Sequence, residues 1–114
     1  MSEEQPEAKS EETPDGAAVF PLIPPELGVH PALLAAVHAY VFLEGSDASI
    51  VNPAVAEEAM NYLVTYLQRL RGEDLRRVKE DMATLAAFAR SEQWPKQQVR
   101  FLQDFLKDNG IGGV

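Results

Sequence analysis

Tyr66 to Met82 reads YLQRLRGEDLRRVKEDM, and the behaviour of its glycine decides the fold. If Gly72 lies inside a helix, residues 53–90 form one long rod. If it breaks the chain, two helices fold back on each other. Hydrophobic phase separates the two cases. Upstream, Val55, Ala59, Tyr62, Leu63, Tyr66, Leu67 and Leu70 share one helical face; downstream, Leu75, Val78, Met82, Leu85 and Ala89 recur at steps of three and four. At about 100° per residue the two stripes are out of phase by roughly 100° across Gly72. A continuous helix would have to swing its buried face by that amount. Gly72 therefore marks a turn.

The charges around it fit the same reading. Arg69 and Arg71 fall at the C-terminal end of the preceding helix, where cations meet the carbonyl end of the dipole, and Glu73 and Asp74 occupy the first turn of the next. Both acids have spacings that pair them with Arg76, Arg77 or Lys79. A recognition helix for nucleic acid would expose donors to a groove. This one also carries Glu80 and Asp81 on the polar face expected to meet solvent, with no aromatic residue interleaved. The basic cluster is read as turn charges, and no nucleic-acid partner is expected.

Working outward, Asn52 and Pro53 form a strong helix start, so the second helix is expected over about 53–71 and the third over about 73–90. Pro31 opens a first helix over about 31–44 with the stripe Leu33, Leu34, Val37, Tyr40 and Val41. No charge falls between Pro31 and Leu43, the pattern of a helix surrounded by protein. The run is too short for a bilayer, which takes roughly 20 residues. SEQWP interrupts the chain, and a fourth helix, about 95–108, buries Val99, Leu102, Phe105 and Leu106. The expected fold is all-α, a compact four-helix domain over 31–110 with a flexible end at 111–114.

Residues 1–18 are rich in Glu, Ser and Pro and nearly devoid of large apolar side chains, so they read as a disordered acidic tail. VFPLIPPELG then sets Phe20, Leu22, Ile23 and Leu27 between prolines that forbid a regular helix. Residues 19–30 read as an extended strap that lies on its own domain or in a partner's groove.

The chain has 114 residues, 46% of them hydrophobic, enough for one domain with a real core. It has no cysteine, which removes thiolate chemistry and fits a cytoplasmic location; the N-terminus has no secretory pattern. Charge is uneven. Up to Gln68 a single cation, Lys9, faces eleven acids, and the net charge of −8 opposes binding to nucleic acid or anionic membrane.

Catalytic signals are thin. His30 precedes Pro31 and His38 flanks an apolar stripe, read as a neutral histidine at the core margin; neither has partners at metal-ligand spacing. Ser46, Ser49 and Ser91 lack a nucleophile elbow, and Glu44 and Asp47 lack the alternation of a calcium loop. No cofactor, metal site or enzymatic activity is expected. Phe88 lies about 100° off its helix seam and Phe101 at the edge of its own, with Trp94 between them in sequence. Phe20, Leu22, Ile23, Leu27, Phe88, Trp94 and Phe101 are accordingly the candidate residues for contact with another protein or a second copy. The expected function is a non-catalytic protein-interaction or adaptor module. Its rivals are a carrier of a small apolar ligand, with a pocket around the first helix and His38 and Tyr40 as polar handles, and a self-associating structural subunit.

Overall fold

The computed structural model describes residues 15–112. Among them the chain is all-α: α1 (Pro31–Gly45), α2 (Pro53–Leu67), α3 (Gly72–Ser91) and α4 (Lys96–Asp108), after a short 3-10 turn at Pro25–Leu27. The helix starts are built locally. His30 Nδ1 accepts the Ala32 N–H at 3.0 Å with Pro31 in the first turn, and Asn52 Oδ1 accepts the N–H groups of Ala54 and Val55 at 2.9 and 3.2 Å.

α2 stops at Leu67, not at the expected Arg71. Tight turns take over, with Arg69 N–H bonded to Tyr66 O at 3.0 Å and Leu70 N–H to Leu67 O at 3.1 Å. The early stop lets both Leu67 and Leu70 pack against the core. Arg71 is then extended and Gly72 takes φ 62°, a left-handed turn that a side chain would oppose. The two helices do separate at this glycine.

α3 and α4 end alike. Trp94 N–H reaches back to Ala89 O at 3.0 Å and Gln93 N–H to Arg90 O at 3.1 Å; Ile111 N–H bonds Leu106 O at 2.9 Å and Gly110 N–H bonds Lys107 O at 3.1 Å. Both are Schellman ends. The second seats Ile111, only 1% exposed, so the packed domain extends past the expected boundary at Gly110.

The helices form two hairpins, α1 with α2 and α3 with α4. The main core joins Leu33 and Val37 of α1 to Met82, Leu85, Ala86 and Ala89 of α3 and to Leu102 and Phe105 of α4. α1 thus has protein on two flanks, while Ala32, Ala35 and Phe42 stay exposed, which corrects the expectation of a helix surrounded by protein. α2 reaches that core only through Leu67 and packs on α1 from outside.

The strap completes the core from a third side. Phe20 and Val29 are each 8% exposed, while Ile23 and Leu27 pack against the cluster. Polar contacts fix its end to the helices. Arg77 Nη2 donates to Gly28 O at 2.9 Å and Arg77 Nε to Asp81 Oδ2 at 3.0 Å, while Asp81 Oδ2 also accepts the His30 N–H at 3.0 Å. Asp81, expected on an exposed face, is instead the buried charged residue among those described, at 7% exposure. Its partner N–H comes from a proline-bounded segment 51 residues away and explains the burial: the carboxylate is hydrogen-bonded on both sides. The expected tail of 1–18 lies outside the described residues up to 14. From Asp15 the expectation of disorder gives way to contact, because Asp47 N–H donates to Gly16 O and Ala18 N–H to Ser46 Oγ, both at 2.9 Å.

Candidate interaction surface

The apolar residues of α2 make two neighbouring stripes. Ala56, Met60, Leu63 and Leu67 follow the spacing of one face, and Val55, Ala59, Tyr62 and Tyr66 that of a face about 100° away. The first stripe docks. Ala56 is 3% exposed, and Met60, Leu63 and Leu67 are half-buried. The second is left largely in water: Val55 is 64% exposed and Tyr62 and Tyr66 59% each, with Ala59 half-buried. This corrects the expectation that all of them share a buried face. One helix can cover only part of the circumference of another, and α1 is the helix that packs closely on α2.

The exposed stripe has a polar border on the outer side. Glu57, Glu58, Asn61 and Thr65 line a shallow groove of about 420 Å³ beside Tyr62. Arg69 lies over the Tyr66 ring at 4.8 Å from its centroid, a cation–π contact. Phe42 of α1, 36% exposed, belongs to the same end of the hairpin as Val55, since the 46–52 connection joins the two there. That connection carries one acid, Asp47. Asp47 accepts the Ser49 N–H at 2.9 Å and the Ser49 hydroxyl, which together hold its carboxyl below the usual range.

Four of the residues marked by sequence converge elsewhere. Phe20 meets Trp94 at 5.2 Å and Phe101 at 6.0 Å between ring centroids, and Trp94 meets Phe88 at 6.2 Å. Ile23 and Leu27 pack against the main core, whereas Leu22 stands in solvent at 64% exposure. The rings continue through Phe101 to Tyr40 and Phe105, at 5.9 and 5.4 Å. They join strap, α1 and α4 into one packed body. The chain matches no protein-family model, no curated protein and no solved structure.

His38 packs edge-on to Phe20 at 5.8 Å, and burial lowers its pKa below the usual 6.5. Burial, then the charge of Glu44, raises that of Tyr40, whose hydroxyl donates to Asn109 Oδ1 at 3.4 Å. The space bounded by Phe20, Ile23, Leu34, His38, Leu85 and Trp94 has no room for a water molecule. A cleft of about 240 Å³ does open at the start of α1, with Leu33, Leu67, Leu70 and Val78 on its apolar wall and Asp74 and Arg77 on its rim.

Two members of the basic cluster form ion pairs. Arg76 contacts Glu73 across one turn, and Arg77 is engaged by Asp81. Among the described residues no group of three or more His, Cys, Asp or Glu side chains is placed to hold a metal ion, and no helix is long and apolar enough to cross a membrane. The surface residues that sequence reasoning missed are Val55, Tyr62 and Tyr66. The available signal was width: apolar residues cover more of α2 than a single neighbour can hide.

Proposed function

We propose that this protein is a non-catalytic protein-interaction module, with the outer stripe of α2 as its docking surface. The observation that carries the reading is the exposure of Val55, Tyr62 and Tyr66 along one face of one helix. Isolated exposed apolar side chains are ordinary, but an aligned set with tyrosines has the makeup of an interface. Tyrosine suits such a face because its ring supplies contact area while its hydroxyl stays hydrated. The strap has a structural part in this reading: Phe20 belongs to the core, and Val19 and Leu22 are the strap's exposed apolar side chains.

The test is a photo-reactive benzoylphenylalanine in place of Tyr62, with the same group in place of Gln103 as a control outside the face. Irradiation in native cells should give a discrete cross-linked product through position 62 and none through position 103. No product at 62, or the same products at both, would refute α2 as the docking surface.

One observation favours a second reading, carriage of a small apolar ligand: the cleft walled by Leu33, Leu67, Leu70 and Val78. Native mass spectrometry of protein purified from its source would show a retained mass if that reading holds.

A further inference from the structure

We infer that the α2 face takes a basic amphipathic segment of another protein, one that sets apolar side chains beside Lys or Arg. This rests on the interaction reading above and adds the chemistry of the partner. Three observations lead to it. The exposed stripe supplies the apolar half of the match through Val55, Tyr62 and Tyr66. Its border supplies the charge: Glu58 stands one helical turn from both Val55 and Tyr62, and Glu57 lines the same groove. Between Asp15 and Gln68 there is no Lys or Arg, so nothing within the α1–α2 hairpin offsets Glu44, Asp47, Glu57 and Glu58.

Of the five cations from Arg69 to Lys79, three are engaged, while Arg71 and Lys79 stay exposed beyond the end of the stripe. Arg69 lies over Tyr66, Arg76 pairs with Glu73, and Arg77 is held by Asp81 and Gly28 O. A second copy carries the same overall net charge of −8, which opposes its approach. The complementary charge therefore comes from a different chain. An apolar face with one acidic margin selects a helix with one basic margin, and the charges would speed encounter and fix orientation.

The test uses the full chain and two dye-labelled 18-residue probe peptides, one of Leu and Lys at helical spacing, the other with Glu at every Lys position. The Lys peptide should bind, weaken as salt rises, and bind at least tenfold more tightly than the Glu peptide. Val55→Ser with Tyr62→Ser should lose at least tenfold in affinity while circular dichroism stays unchanged. Glu57→Gln with Glu58→Gln should lose about threefold and flatten the salt dependence. Absence of binding by the Lys peptide, equal binding of the Glu peptide, or an unchanged affinity in either double variant would overturn the inference. A concentration-dependent dimer in sedimentation that Tyr62→Ser abolishes would overturn it too, in favour of a second copy. The two readings fail separately: a partner cross-linked through position 62 by an acidic segment would refute the basic class and leave the docking surface standing.

Discussion

At Gln93 the backbone takes φ 59°, a left-handed conformation held by the bonds that close α3. Gly110 occupies the matching place after α4 with φ 65°. A side chain at such a position crowds the following carbonyl at a cost of roughly 1–2 kcal/mol, which glycine avoids. Gln93→Gly should therefore stabilise the domain by about 0.5–1 kcal/mol, read as a higher thermal midpoint. A lower midpoint would show that Gln93 makes a compensating contact. His38 supports a second prediction at this scale. Its folded pKa is lowered from 6.5 by burial, so the unfolded chain binds its proton more readily. The stabilising effect of keeping it neutral is present above pH 6.5 and is lost as pH falls towards the folded value. Chemical denaturation from pH 7.5 to pH 5 should show that decline, and His38→Gln should remove this part of it.

Among the elements, α2 divides its apolar residues between two fates, and stability can tell them apart. Tyr62→Ala and Tyr66→Ala should each change the free energy of unfolding by no more than about 0.5 kcal/mol, as expected of exposed positions. Leu63→Ala, on the docked stripe, should cost about 1–2 kcal/mol, less than a fully buried leucine. Equal costs at 62 and 63 would contradict the assignment of stripes. For the strap, Phe20→Ala should cost about 3 kcal/mol or more, because the ring is enclosed by Trp94, Phe101 and His38.

These contrasts also show what was legible in the sequence. The starts of α1 and α2 were, because Pro31, Asn52 and Pro53 act on groups within a turn of themselves. The break at Gly72 was, because a phase shift is a property of consecutive residues. The burial of Asp81 was not: its partner is the His30 N–H, distant in sequence and brought close by the fold. Nor was the division of α2, since the number of neighbours a helix has is set by the whole packing. Periodicity identifies apolar residues, whereas the arrangement of the other helices decides which of them stay dry.

Taken whole, the molecule has a complete core without most of α2. The strap, α1, α3 and α4 enclose Leu85, Leu102 and Phe105, while α2 adheres to α1 and is tied to the far end of the chain by a 2.8 Å bond from Gln68 Nε2 to Asn109 O. Such an arrangement supports a hierarchy of opening. α2 can lift away on its two connections, at 46–52 and 68–71, at the cost of its own contacts and without dissolving the rest. Native-state hydrogen exchange should find amides from Ala56 to Tyr66 exchanging through a subglobal event, with a shallow dependence on denaturant. Amides around Leu85 and Leu102 should exchange only through global unfolding. A common opening energy for both groups would mean that the four helices cooperate fully. A partner on the outer stripe of α2 would then act as a clamp, raising protection in α2 far more than in α3 and making the outermost helix as slow to open as the core it covers.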